Sequence, residues 1–115
     1  MDDDEIRFLD SDAALDDALR LPRAFLYKHS TRCGTSMRAL MEVERFARSG
    51  AGIPVFGIDV VRHRSVSNEA ATRLGVRHQS PQAILIEEGT PVWRASHSSI
   101  TAAALQEAAQ ERIRS

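Results

Sequence analysis

Two apolar runs, Arg23 to His29 and Ile53 to Val61, bracket a segment whose apolar residues recur at helical spacing. No other feature limits the folding of this chain as strongly. Runs this apolar read as strands buried on both faces, and two such strands joined through a helix run parallel. In the first, Phe25 and Tyr27 flank Leu26; in the second, Gly57 interrupts the run. Between them, Met37, Leu40, Met41, Val43, Phe46 and Ala47 predict a broad apolar helix face. Arg45 and Arg48 fall in its last turn, and Gly50 follows as a C-cap.

The flanking segments extend this unit. Ile6 to Leu9 predicts a short first strand. Asp10, Ser11 and Asp12 are N-cap candidates for a helix carrying Ala14, Leu15, Ala18 and Leu19, which Pro22 closes. Ser65 and Ser67 are N-cap candidates for a third helix ending at Leu74-Gly75. Pro81 opens a strand through Ile86, the end of a strand being where a sheet accepts proline. Glu88-Gly89 reads as a two-residue hairpin turn into Thr90 to Ser96. Ser98 or Ser99 is expected to cap a last helix, with Ile100, Ala103, Ala104, Ala108 and Ile113 as its buried stripe. The resulting order, β-α-β-α-β-α-β-β-α, is an α/β class with the thioredoxin-like arrangement: a central mixed sheet with flanking helices. The 115 residues suffice for a single domain, 1–115, with a core of its own, and the acidic residues 1–5 are expected to fray.

The chemistry concentrates in Lys28-His29-Ser30-Thr31-Arg32-Cys33-Gly34-Thr35-Ser36, where a strand ends and a helix starts. Cys33 is the only cysteine. A helix start exposes backbone N–H groups and the positive end of the macrodipole, which favours thiolate over thiol. Lys28 and Arg32 add positive charge. A thiol near pKa 8.5 is only ~3% ionised at pH 7, whereas one lowered to about 6 is roughly 90% ionised. The alternative for Cys33 is a buried structural cysteine, but its place between Arg32 and Gly34 argues against apolar surroundings.

Charge and composition exclude several classes. A net charge of −1 gives no footprint for nucleic acid or an anionic membrane surface. The N-terminus is acidic without an apolar leader, and no apolar run is long enough to span a bilayer. A lone cysteine forms no internal disulfide and suits a reducing, cytoplasmic compartment.

With those residues in hand, the chain resembles the monothiol bacilliredoxin family, the thioredoxin-like proteins of the bacillithiol system. The match is carried by Lys28 to Cys33, Asp59-Val60, Arg64 to Asn68, Gly75-Val76, His78, Ser80-Pro81-Gln82, Val92-Trp93 and Ser96-His97. The resemblance implies that Cys33 attacks mixed disulfides between S-thiolated client proteins and a low-molecular-weight thiol, bacillithiol or glutathione, used as co-substrate. It implies no tightly bound cofactor, and a cis peptide bond at Ser80-Pro81 that forms a shelf for substrate; the bland reading is a trans proline opening a strand. Gly34 departs from the family, whose members usually carry proline there. Cys-Gly-Thr-Ser resembles the Cys-Gly-Phe-Ser motif of monothiol glutaredoxins, which share an iron–sulfur cluster between two subunits with glutathione. A cluster carrier is therefore one alternative, and a non-catalytic binding module with an incidental cysteine is another.

Around Cys33, Ser36 stands where a dithiol enzyme holds its resolving cysteine, so an adduct must leave through an external thiol. Its hydroxyl either donates to the thiolate or simply occupies the first helical turn. His29 and His78 are candidates to stabilise the thiolate, set against ordinary polar residues at strand ends. Arg32, Lys28 and Arg77 are candidate contacts for a carboxylate-bearing thiol. His63 and His97 read as structural, Trp93 as packing, and Arg62-His63-Arg64 as a solvated loop. No metal site is expected, because no Cys-x-x-Cys or close histidine pair occurs.

Overall fold

The computed structural model describes residues 5–31 and 34–114, the side chains of 112–114 excepted. Five strands, β1 (Ile6–Phe8), β2 (Arg23–His29), β3 (Val55–Asp59), β4 (Gln82–Glu87) and β5 (Thr90–Ser96), form one sheet in the order β1-β3-β2-β4-β5. β3 runs parallel to both β1 and β2, while β4 and β5 are antiparallel to their neighbours. Four helices cover it: α1 (Asp12–Leu19), α2 (Gly34–Ala47), α3 (Arg64–Leu74) and α4 (Ala102–Arg114). The sheet is mixed and the element order is the one read from the sequence.

β2 lies at the centre, and alternation splits its side chains between two cores. Phe25 and Tyr27 join Val43, Phe46, Leu85 and Leu105 in the core beneath α2 and α4. Ala24 and Leu26 join Leu15, Ile58, Val66 and Ile84 in the core beneath α1 and α3. The Phe25 and Phe46 rings pack edge to face, centroids 5.0 Å apart at 76°, and the Trp93 ring centroid lies 6.1 Å from that of Phe25 at 88°. Trp93 packs, as expected.

Local chemistry explains the boundaries. Ser11 is the N-cap of α1, its Oγ accepting from the Ala14 N–H. Gly75 ends α3 in the left-handed conformation, φ 64°. Glu88 and Gly89 both have positive φ, 51° and 74°, as a primed two-residue hairpin turn needs.

Several expectations need correction. The second run is strand only over Val55–Asp59, because the Asp59 carboxylate accepts from the Val61 and Arg62 N–H groups and turns the chain. That turn leads directly into α3, whose N-cap is His63; Ser65 and Ser67 lie inside the helix. Residues 97–99 form a 3-10 turn, so neither Ser98 nor Ser99 caps α4. Thr101 does so, its Oγ1 accepting from the Ala104 N–H. The buried face of α2 is Ser36, Ala39, Val43, Phe46 and Ala47, and this rotates Met37 and Met41 into solvent, 55% and 60% exposed. In α4, Ala102, Leu105, Ala108 and Ala109 are buried while Ala103 is exposed. Ile113 lies outside the described side chains. Among the described residues, no helix is long and apolar enough to cross a membrane.

Candidate active site

The carboxyl end of β2 is where the chemistry-bearing residues converge. β2 ends at His29 and α2 begins at Gly34. Arg32 and Cys33 lie outside the described residues. Gln82 pairs with Lys28, so Ser80 and Pro81 sit just beyond the end of β2. The Ser80–Pro81 peptide bond is cis, as the resemblance implied. Pro81 is buried, and its carbonyl accepts from the His97 N–H at 3.1 Å, which ties the 3-10 turn to the site.

Strand alternation places two polar networks on opposite faces of β2. Beneath α2, the Tyr27 hydroxyl donates to the Ser36 carbonyl at 2.9 Å and lies 2.9 Å from His29 Nδ1. With its proton given to that carbonyl, the phenol accepts from Nδ1–H. Ser36 is fully buried, and its Oγ accepts from the Ser30 N–H at 3.3 Å. That contact ties the first turn of α2 to the end of β2. Burial lowers the His29 pKa, partly opposed by the Asp59 and Glu44 carboxylates, so the imidazole is neutral at pH 7.

Beneath α3, Lys28 is buried to 1% exposure, with its ammonium 3.1 Å from the Ser67 carbonyl and 3.2 Å from His78 Nδ1. Burial brings its pKa down to about 8. The expectation that Lys28 reaches a substrate carboxylate is therefore corrected: α3 covers it, and its ammonium is turned to the Ser67 carbonyl and His78 Nδ1. His78 also lies 3.4 Å from Ser67 Oγ. Its pKa is lowered by burial first, then by the charges of Lys28 and Arg64.

A cavity of about 240 Å³ opens beside this second network, lined by Ser30, Arg64, Ser67, Asn68, His78 and Ser80 among others. Arg77 does not join it. It lines a separate cavity of about 650 Å³ that extends past Trp93 to Ala104. Gln82 donates there to the Arg77 carbonyl at 3.1 Å, while its Oε1 has no partner. His63 is the N-cap of α3 and His97 belongs to the 3-10 turn.

Ser36, Ser80, Pro81 and His78 thus gather around the strand–helix junction, with Gly34 as the first residue of α2. The sequence reading gave Tyr27, Ser67, Arg64 and Asn68 no role in the site, taking Arg64 as solvated loop and Ser67 as an N-cap candidate, whereas Arg64, Ser67 and Asn68 line the cavity of about 240 Å³. The signal for two of them was present. Tyr27 and His29 share one face of β2, and a lysine between them on a doubly buried strand must find acceptors on the other.

Solved structures of known proteins share this architecture. A candidate oxidoreductase with a thioredoxin fold matches with TM-score 0.83 and 26% identity, over 90% of this chain and 92% of that one. A mutant thioredoxin from Halobacterium salinarum NRC-1 matches with TM-score 0.78 and 20% identity, over 96% and 93%. A thioredoxin from Trypanosoma brucei brucei matches with TM-score 0.80 and 11% identity, again over 96% and 93%. The fold is that of thioredoxin. The family profile of the monothiol bacilliredoxin BrxC matches residues 9–105, most of the chain, and the chain belongs to that family.

Proposed function

We propose that this protein is a cytoplasmic thiol-disulfide oxidoreductase that removes bacillithiol from client-protein mixed disulfides through Cys33. Family membership supports a thiol oxidoreductase, and one observation carries the single-thiol chemistry. Ser36, the position a resolving cysteine would take, is a fully buried serine bonded to the end of β2.

In the reaction, the Cys33 thiolate attacks the bacillithiol sulfur of the mixed disulfide. The Cys33–bacillithiol disulfide forms, the client–bacillithiol disulfide breaks, and the client thiolate leaves to take a proton from solvent. A second low-molecular-weight thiol then attacks the adduct, releasing a small disulfide and restoring the Cys33 thiolate. Gly34 opens α2, so the dipole of that helix favours the thiolate at the preceding residue. Arg32 adds charge beside it in the chain. Ser80 and His78 line the adjoining cavity, where the small thiol is held.

Intact mass after exposure to one equivalent of oxidised bacillithiol tests the scheme. The wild type is expected to gain one adduct, releasing one reduced bacillithiol, and to lose the adduct when reduced thiol is added in excess, and Cys33→Ser to gain none. Ser36→Cys places a second sulfur three residues away, on the same helix face, and is expected to expel the adduct as an internal disulfide. A wild type that takes up no adduct overturns the reading. Absorption near 420 nm after anaerobic iron–sulfur reconstitution favours the cluster carrier instead (roughly, as for thiolate-ligated clusters).

A further inference from the structure

The cavity between α3, the carboxyl end of β2 and Ser80 has the composition of an anion site. Arg64 supplies a guanidinium, Asn68 an amide, and Ser30 and Ser80 hydroxyls. None of the residues lining it is acidic. The two acids that adjoin its lining in the chain are engaged elsewhere. Asp59 turns its carboxylate to the Val61 and Arg62 N–H groups, and Glu69 pairs with Arg73. At about 240 Å³ the space suits a fragment rather than a complete ligand, whose pockets run to roughly 300–1,000 Å³.

His78 gives the site its direction. An ammonium only donates hydrogen bonds, so Lys28, 3.2 Å away, makes Nδ1 the acceptor and leaves the imidazole proton on Nε2. Burial first, and then the charges of Lys28 and Arg64, oppose a second proton, and His78 stays neutral at pH 7. It therefore offers a fixed N–H donor beside the Arg64 guanidinium. A lysine buried to 1% exposure beneath α3 has a reason to be there if it holds that tautomer.

We propose that this cavity binds the carboxylate arm of the small thiol, with Arg64 and His78 as its contacts and Lys28 as the positioning residue behind His78. The proposal rests on the thiol-transfer reading above and adds the group by which the thiol is recognised. Bacillithiol and glutathione both carry carboxylates, so the probes are the oxidised forms of each and of their carboxyl methyl esters. The readout is the rate of Cys33 adduct formation by intact mass.

In the wild type, the free acid of the true co-substrate is expected to react about tenfold or more faster than its ester, the range of one charge-assisted pair. Whichever acid shows that preference is the source of the arm. Arg64→Gln and His78→Phe should bring the acid-to-ester ratio to within about twofold. His78→Gln, whose amide reaches the Nε2 position, should retain part of the preference. Arg77→Gln, in the other cavity, should keep all of it. For Lys28→Met the readout is the ¹⁵N shift of His78 Nδ1: an unprotonated nitrogen in the wild type, a mixed tautomer in the variant. Acid and ester reacting alike in the wild type overturn the subsite while leaving thiol transfer intact. An unchanged His78 tautomer in Lys28→Met overturns the positioning role. No adduct from any probe overturns the thiol-transfer reading, and the subsite with it.

Discussion

Lys28 is the only lysine in the chain; every other lysine-or-arginine position holds arginine. The choice has physical sense at a buried site, because an ammonium is compact and sheds its proton when desolvated, whereas a guanidinium does neither. Its pKa of about 8, against 10.5 for the ordinary side chain, ties stability to pH. Between those values the unfolded chain binds the proton that the folded chain has lost. Folding stability therefore rises as pH rises from about 8 to above 10, and the contribution is lost as pH falls back through 8. The size is about 3 kcal/mol at most. Denaturant unfolding at pH 7 and pH 10 measures it: Lys28→Met should gain on the wild type at pH 7 and lose that advantage at pH 10. Parallel pH curves for the two proteins would remove Lys28 as the source. The sequence showed Lys28 on an apolar strand yet suggested a solvent-facing contact, as lysine usually makes. What buries it is α3, and which helix covers which face of a central strand is not written in the strand itself.

Elements were legible where their signals are local. The N-cap of α1, the left-handed glycine after α3 and the Glu88-Gly89 turn each depend on a few neighbouring residues, and each forms as read. The misread ends depend on contacts from further away. α3 starts early because Asp59 folds the chain into it, and Met37 and Met41 are exposed because the partner surfaces of α2, Phe25 and α4, select a narrower stripe than its apolar content offers. Gly57 belongs to this second kind. It pairs with Phe8 on one side and Tyr27 on the other, and a Cβ there would meet Phe8 Cε1 at 2.8 Å and Ile6 Cγ2 at 3.0 Å. The glycine lets β1 lay its side chains across β3. Gly57→Ala is expected to cost about 1 kcal/mol, because the half-exposed Phe8 ring can swing aside. In a Phe8→Ala background the cost should shrink, giving a coupling of about 0.5 kcal/mol or more in a double-mutant cycle. Strict additivity would mean that Phe8 is not what the glycine accommodates.

At the scale of the molecule, the two cores lie on opposite faces of the sheet, and the site depends on both. Tyr27 and Ser36 hang from the core under α2 and α4, while Lys28, Ser67 and His78 hang from the one under α1 and α3. Element order was readable from the chain, but strand order was not: the placement of β3 between β1 and β2 is a matter of long-range pairing. If the sheet couples the faces, a cavity in one core must be felt in the other. Leu15, fully buried in α1, and Trp93, the only tryptophan, lie on opposite faces. Leu15→Ala should cost about 2–5 kcal/mol and lower the Tm by about 10 °C or more. Trp93 reports the core under α2 and α4 through its contact with Phe25, so with the faces coupled its fluorescence should show the same lowered midpoint as far-ultraviolet circular dichroism. A Trp93 midpoint left in place while the dichroism midpoint falls would show two cores melting separately. His78 would then lose its place before Ser36 does, and the thiol site would come apart along β2.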